Sequence, residues 1–153
     1  MEDVIVESSM SWTPILIWIA VILVAMILAI VAIKRVLRLF TRPEMYGLSR
    51  EQVIERWKMI RQTAAQGQMG AKLAVMEADT LLDSALKSMN MPGMTLGERL
   101  RMAGHKYPKL KDVWWAHKIR NQLVHEATYQ LSSRVAKQAL DEYEKAFKIL
   151  NLL

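Results

Sequence analysis

An uninterrupted apolar segment near the N-terminus constrains this chain more than any other feature. From Pro14 to Ile33 no residue carries a charge, and none is more polar than alanine or tryptophan. A helix of about 20 residues is ~30 Å long, which matches the hydrocarbon core of a bilayer. Because the segment has no polar stripe, it fits the core of a small soluble protein poorly. The sequence therefore predicts a transmembrane helix over residues 12–33.

The charges on either side of this segment predict its orientation. Residues 1–11 contain acidic residues but no lysine or arginine, whereas basic residues follow the segment at Lys34, Arg35, Arg38 and Arg42. A cleaved signal peptide would begin with basic residues and have a shorter apolar run. Basic residues stay on the cytoplasmic side of a membrane. We therefore expect a single-pass protein of the lipid bilayer, with a short acidic extracytoplasmic leader over residues 1–11 and the rest in the cytoplasm.

Composition limits what the cytoplasmic part can do. The chain has 21 basic and 15 acidic residues. All charged residues of the leader are acidic, so the rest of the chain has a clear excess of positive charge. Such a surface suits anionic lipid headgroups or nucleic acid. The chain contains no cysteine, which excludes disulfides, thiol catalysis and thiolate metal sites.

The remaining residues divide into a linker and one small helical domain. Residues 34–48 form a basic juxtamembrane segment and linker, and residues 49–153 are enough for one domain. Helical patterns cover about residues 49–66, 71–89, 95–103, 109–129 and 132–153, without the two-residue alternation of strands. The sequence predicts an all-α fold, in which one N-terminal transmembrane helix precedes a small cytoplasmic antiparallel bundle of four main helices and one short helix.

Caps and apolar stripes support these helices. Capping-box spacing occurs at Ser49 with Gln52 and at Thr95 with Glu98, and Ser132 or Ser133 can cap the last helix. Two helices carry apolar stripes that we expect in the core: Ala74, Ala78, Leu81, Leu82, Ala85 and Met89, then Ala136, Ala139, Leu140, Tyr143, Phe147 and Leu150. Asp79 and Asp83 are expected off that face, in solvent or paired with basic residues. Trp114 and Trp115 are expected to anchor their helix.

The predicted fourth main helix carries polar residues that a plain bundle does not need. His117, Asn121 and His125 recur every four residues and stack on one face. The two histidines are about 12 Å apart along the axis, whereas zinc holds its ligands about 2 Å away. One ion cannot bind both, so we predict neither a metal nor another cofactor.

The same helix suits chemistry on phosphate. Arg120 offers a forked, permanently charged donor, His125 can gain or lose a proton near neutral pH, and Asn121 can orient a hydroxyl or phosphate oxygen. Metal-independent RNA cleavage needs such a set, since one group activates the 2′-hydroxyl and a cation stabilises the charge on phosphorus. Candidate RNA-binding residues, which can equally be ordinary surface residues, are Lys118, His117, Lys109 and Lys111.

The pattern Arg120-Asn121-x-x-x-His125 resembles the R-x4–6-H signature of the HEPN superfamily, over about residues 70–150. The chain is also similar to small bacterial membrane proteins at Glu77–Asp79, Leu82–Asp83, Gly97–Leu100 and Ala116–Glu126. The resemblance implies a homodimer in the bacterial inner membrane, whose two motif helices enclose an RNA groove. It further implies that His125 is a general acid or base, that Arg120 clamps phosphate and that Asn121 is an orienting group.

Two functions remain open from the sequence. In one, the domain is a membrane-anchored, metal-independent endoribonuclease or RNA-binding module. In the other, it is a non-catalytic adaptor whose bundle binds an unknown protein partner. Arg120 and His125 lie about 140° apart around the helix axis, so a single helix cannot aim both at one atom. Two helices crossing at a two-fold axis can supply one residue each.

Overall fold

The computed structural model describes residues 13–40, 45–126 and 128–153. The chain divides into two compact units, Met1–Thr41 and Arg42–Leu153. Throughout the described ranges all regular structure is helical, as the sequence predicts. The acidic leader over residues 1–11 and the basic residue Arg42 lie outside the described residues.

The first unit contains a single described helix, α1, over Thr13–Phe40. Its segment Leu16–Val36 has a mean hydropathy of 3.3, and none of it is buried. By length and composition, the helix is long and apolar enough to cross a membrane. α1 continues past the predicted end at residue 33, since Lys34 and Arg35 are good helix formers and no proline or glycine interrupts them.

The second unit contains five α-helices and one 3₁₀ helix among its described residues. These are α2 (Arg50–Ala64), α3 (Gly67–Ser88), α4 (Leu96–Lys106), the 3₁₀ helix (Pro108–Asp112), α5 (Val113–His125) and α6 (Ser133–Ile149). α3 is the central element, because it contacts α2, α4, α5 and α6. Side chains of α3 therefore form much of the centre of the unit.

The predicted starts of α2, α4 and α6 are correct to within one residue, although one cap differs in detail. Ser49 and Gln52 form a complete capping box at α2, and the Ser132 side chain accepts the Val135 N–H at α6. Thr95 accepts the Glu98 N–H at 3.2 Å. The Glu98 carboxylate, however, accepts the N–H of Met94 at 2.7 Å, one residue before the cap. Glu98 therefore fixes the entering chain rather than closing a box with Thr95.

Two predicted boundaries are wrong. α3 begins at Gly67, whose φ of +85° suits glycine, and Gly70 lies inside the helix rather than in a break. A Cβ at Gly70 would collide with the Thr63 carbonyl oxygen, so this glycine permits close approach of α2 and α3. The helix predicted over residues 109–129 is instead the 3₁₀ helix followed by α5, which ends at His125.

The predicted apolar stripes of α3 and α6 are buried as expected. Trp57 of α2 joins them, with its ring 5.3 Å from that of Phe147. Trp114 and Trp115 are half-buried and pack against the core, as expected of anchors. Of the two environments expected for Asp79, solvent and a basic partner, the first is wrong, because Asp79 is 4% exposed.

Candidate functional site

A buried carboxylate organises the polar side chains of α5. Asp79 lies on α3, the helix that contacts both α5 and α6. Its Oδ1 accepts a hydrogen bond from the Tyr143 hydroxyl at 2.8 Å. The same oxygen lies 2.7 Å from His117 Nδ1. A carboxylate only accepts, so His117 Nδ1 carries the hydrogen in this contact.

Arg120 approaches the other oxygen of the same carboxylate. Its Nε lies 3.2 Å from Asp79 Oδ2, close enough for an ion pair. The Nε atom is nonetheless buried without a well-aligned hydrogen-bond partner in the described part of the chain. The pair is therefore held by charge and proximity rather than by a directed hydrogen bond. Arg120 Nη1 donates to Asn121 Oδ1 at 3.1 Å.

Asn121 closes the network. Its Nδ2 lies 3.2 Å from His117 Nε2, so the contacts run from Asp79 to His117, Asn121, Arg120 and back to Asp79. Both ring nitrogens of His117 are occupied by partners that a neutral imidazole can satisfy. We call Asp79, His117, Arg120, Asn121 and Tyr143 the Asp79 cluster. Such a connected network holds each member in one orientation.

Tyr143 shows how strongly this environment disfavours additional negative charge. Its side chain is fully buried. Burial raises the pKa of the Tyr143 hydroxyl well above its usual value of 10.0, and the charge and hydrogen bond of Asp79 raise it further. The nearby Arg120 charge opposes this shift without cancelling it. Tyr143 is therefore a permanent hydrogen-bond donor to Asp79 and not an acid or base in its own right.

The structure does not bring His125 into the Asp79 cluster. His125 is the last residue of α5 and is exposed. Within the described ranges it makes no hydrogen bond or ion pair with Arg120 or Asn121. The predicted trio is thus divided in a single chain, with Arg120 and Asn121 in one network and His125 in solvent at the helix end.

The candidate RNA-binding lysines are also separate from this network. Lys118 lies on α5, and Lys109 and Lys111 lie on the 3₁₀ helix; all three are exposed. None forms an ion pair with any described residue. His117, which the sequence placed beside them as an RNA-binding candidate, has only 12% of its side chain exposed and faces Asp79. It supports Arg120 through Asn121.

One edge of Arg120 remains available to a ligand. Its side chain is 29% exposed, and its Nη2 atom has no hydrogen bond to any described residue. Arg120 also lines an open groove of about 600 Å³ that is formed mainly by α2 and α3. Arg120 is therefore held by the Asp79 cluster while part of its side chain is exposed and lines the groove.

The sequence left Asp79 either in solvent or paired with a basic residue, and the structure pairs it with Arg120 and His117. Its burial was not predicted, although a signal was present. Asp79 follows Val75 by four residues and precedes Leu82 by three, and both neighbours are fully buried. A carboxylate on such a stripe needs a basic or hydroxyl partner. The buried Tyr143 likewise needed an acceptor for its hydroxyl. Together these two patterns indicate a polar contact between α3 and α6.

In the part of the chain that the structure describes, no three histidine, aspartate or glutamate side chains lie close enough to hold a metal ion. His117 and Asp79 are adjacent, but their contact is a hydrogen bond within the cluster.

Comparison with known proteins adds no assignment. No protein-family model matches the chain, and no curated protein or solved structure matches it. The site must therefore be interpreted from its own geometry.

Proposed function

We propose that this chain is a single-pass protein of the bacterial inner membrane, with its N-terminus outside and its helical unit in the cytoplasm. In this proposal the helical unit is an antiparallel, HEPN-like bundle that acts as a homodimer. The dimer binds RNA and cleaves it without a metal ion. The apolar helix α1 and the basic residues after it support the anchor and its orientation.

The observation that carries the proposal is the state of Arg120. Asp79 and Asn121 hold its guanidinium, its Nη2 is unbonded within the described residues, and the residue lines an open groove. A cation fixed in this way needs no reorganisation to stabilise charge that develops on a phosphate. Its forked donors also match phosphate oxygens.

His125 supplies the proton transfer in this proposal. Its imidazole takes the proton of a ribose 2′-hydroxyl, and the oxygen attacks the adjacent phosphorus. The bond from phosphorus to the 5′-oxygen then breaks, which leaves a 2′,3′-cyclic phosphate and a 5′-oxygen. That oxygen takes the proton from the protonated imidazole and becomes a hydroxyl. Arg120 stabilises the charged phosphorane, and Asn121 keeps Arg120 in place.

A homodimer is required because a single chain separates the two groups. His125 is exposed at the end of α5, whereas Arg120 is held against Asp79. Two α5 helices that cross at a two-fold axis can place the histidine of one copy beside the arginine of the other. Anchoring both copies in one membrane raises their effective concentration and so favours pairing.

The test uses the full chain in nanodiscs of phosphatidylcholine, with EDTA and a labelled single-stranded RNA. We expect His125→Ala to lower the cleavage rate by about 10²–10⁴-fold, as for the loss of a general acid or base. His105→Ala is the matched control, because His105 is exposed on α4 and should leave the rate unchanged. A substrate with a 2′-deoxy sugar at the cleaved position should not react.

Two outcomes contradict the proposal. Cleavage that is equally fast with His125→Ala would assign the activity to something other than this site. A wild-type chain that neither cleaves nor binds RNA would favour the second candidate, a non-catalytic membrane adaptor. That candidate is supported by the inward orientation of His117 and Asn121, which serve the internal network. As an adaptor, the helical unit would bind a protein partner.

A further inference from the structure

The groove lined by Arg120 is formed mostly by residues that have no role in the proposed RNA cleavage. Most of its residues come from α2 and α3, and its volume of about 600 Å³ lies within the usual range of small-molecule sites, ~300–1,000 Å³. Arg120 is the contribution of α5. The groove therefore joins one fixed cation to a surface made by two other helices.

The wall of this groove is apolar and open to water. Met59 of α2 and Leu73 and Met76 of α3 line it, and they are 50%, 47% and 37% exposed. Large apolar side chains that share one exposed concavity indicate a binding surface. The two methionines are unbranched and flexible, so they can adapt to the shape of an apolar ligand.

Charge at the groove favours an anion. Arg56 and Arg120 line it together with a single acidic residue, Glu77. Arg56 and Glu77 form no ion pair with any residue in the described ranges. Arg120 is paired with Asp79 through its Nε edge, which leaves its Nη2 edge for a ligand.

We propose that this groove binds a single-tailed anionic amphiphile. The acyl chain lies along Met59, Leu73 and Met76, and the carboxylate or phosphate head binds Arg120. The unbonded Nη2 of Arg120 can donate charge-assisted hydrogen bonds to either head group. A nucleotide would satisfy Arg120 but leave the apolar wall in water, and a cationic amphiphile would meet the wrong charge. This inference goes beyond RNA cleavage and does not depend on it.

Methionine methyl groups provide the direct test. The full chain, labelled with ¹³C at methionine methyls, is placed in nanodiscs of phosphatidylcholine and titrated with dodecyl phosphate, laurate and dodecanol. We expect the resonances of Met59 and Met76 to shift with both anions. Met94 and Met102 are 88% and 42% exposed but lie outside the groove, so their resonances should not move.

The three ligands separate the parts of the proposal. Dodecanol has the same chain without a charge, and its affinity should be lower by about tenfold or more, the usual effect of losing a charge-assisted hydrogen bond. Laurate and dodecyl phosphate distinguish a fatty-acid source from a lysophospholipid-like source. Whichever binds more tightly identifies the preferred head group.

Matched variants locate the site. Leu73→Glu places a carboxylate in the apolar wall and should weaken both anions by about tenfold or more. Met102→Glu is its control, because Met102 is similarly exposed on α4 and does not line the groove. Arg120→Gln should remove the preference for anions over dodecanol while leaving the response to dodecanol itself.

Several results would overturn the inference. These are equal affinities for dodecanol and the anions, shifts of Met94 and Met102 equal to those in the groove, or no shift at all. A response of Met59 and Met76 to AMP but not to the amphiphiles would instead assign the groove to nucleotides. Failure here is separate from failure of RNA cleavage, because Leu73→Glu tests the groove and His125→Ala tests the nuclease.

Discussion

Two aspartates of α3 meet an arginine each, yet they create different environments. Asp79 and Asp83 are four residues apart, one turn of the same helix. Asp79 pairs with Arg120 of α5, and Asp83 pairs with Arg99 of α4 at 2.7 Å. The comparison shows that one aspartate–arginine pair can hold a loop in place, whereas a similar pair can leave the arginine available to a ligand.

Around Asp83 each of the three guanidinium nitrogens of Arg99 donates a hydrogen bond. Arg99 Nε donates to Asp83, and its Nη1 and Nη2 donate to the carbonyls of Gly93 and Met94. Only 6% of the Arg99 side chain is exposed. Lys87 pairs with the other carboxylate oxygen at 2.7 Å. We call these contacts the Asp83 clamp, which fixes the chain between α3 and α4.

Arg120 differs in both respects. Nη1 is its one atom with a hydrogen bond among the described residues, its Nε is paired by proximity alone, and 29% of its side chain is exposed. An arginine whose three nitrogens all donate to the protein holds a loop, whereas an arginine with an unbonded nitrogen and an exposed side chain can bind an anion. The two arginines differ in the number of hydrogen-bond acceptors that the protein places around them, although each is paired with an aspartate.

The largest expected effect compares removal of the two carboxylates. Asp79→Ala leaves His117, Arg120 and Tyr143 without their common acceptor. We expect a loss of about 3–5 kcal/mol in the free energy of unfolding, as for breaking a buried ion pair. Asp83→Ala should cost less, about 1–3 kcal/mol, because Arg99 retains two carbonyl acceptors. Urea unfolding of the full chain in nanodiscs measures both.

Hydrogen exchange shows where each change acts. Asp79→Ala should increase exchange in α5, while Asp83→Ala should increase it in residues 89–95. If Asp83→Ala destabilises the chain as much as Asp79→Ala does, Asp79 is no more central than Asp83 and the comparison fails.

Replacement of each arginine by lysine should change the free energy of unfolding less than loss of Asp79 does. Arg99→Lys should mainly lower stability, and Arg120→Lys should mainly lower function. Arg99→Lys loses a fork that bonds three acceptors, so we expect a loss of about 1–3 kcal/mol in stability. Arg120→Lys keeps the charge near Asp79 and should cost about 1 kcal/mol or less. For ligand binding and RNA cleavage we expect the larger effect from Arg120→Lys. Arg120→Lys should weaken dodecyl phosphate binding and RNA cleavage, and Arg99→Lys should leave both unchanged.

The measurements are the same urea midpoints, with ligand titration at a temperature where both variants are fully folded. Loss of binding in Arg99→Lys as well as Arg120→Lys would mean that the groove depends on overall stability. Binding that survives Arg120→Lys unchanged would show that the head group lies elsewhere.

Much of the fold was predictable because it depends on local pattern. The apolar composition of α1 and the caps at Ser49, Thr95 and Ser132 each act within a few residues. The stripes of α3 and α6 follow helical period and were assigned to the core correctly. Such signals need no knowledge of which helices are neighbours.

The remaining features depend on contacts between distant segments. Gly70 resembles a helix breaker until its close approach to Thr63 is known. The 3₁₀ helix before α5 has the same sequence pattern as a first helical turn, so the pattern alone cannot separate them. Burial of Arg99 depends on the carbonyls of the preceding loop, which no sequence spacing specifies.

The site was predictable in part. The sequence puts His117, Asn121 and His125 on one face and groups Arg120 with Asn121 and His125. The structure joins His117, Asn121 and Arg120 in one network and leaves His125 outside it. Asp79 and Tyr143 complete this network from α3 and α6, which requires knowing that both helices contact α5 or each other. The role of His125 stays a prediction, since it depends on a second copy of the chain.

The smallest expected effect is on acid stability. Burial pushes the pKa of Asp83 upward, but the hydrogen bonds and charges of Arg99 and Lys87 outweigh it, so the pKa lies below its ordinary value of 3.8. A carboxyl with a lowered pKa stabilises the folded state above its unfolded-state pKa and loses that contribution as pH falls through the folded-state value. Asp83→Asn should therefore be less stable at neutral pH and lose less stability upon acidification below about pH 4.

Urea midpoints of the full chain between neutral pH and about pH 3 measure this slope. Asp141→Asn is the control, because Asp141 pairs with Arg61 at 3.4 Å on an exposed surface, where such pairs contribute little. The urea midpoint of Asp141→Asn should fall with decreasing pH as steeply as that of the wild type. If Asp83→Asn also matches the wild type, the lowered pKa of Asp83 does not contribute to folding. The clamp would then depend on the two carbonyls that Arg99 contacts, and the contrast with Arg120 would rest on hydrogen-bond acceptors alone.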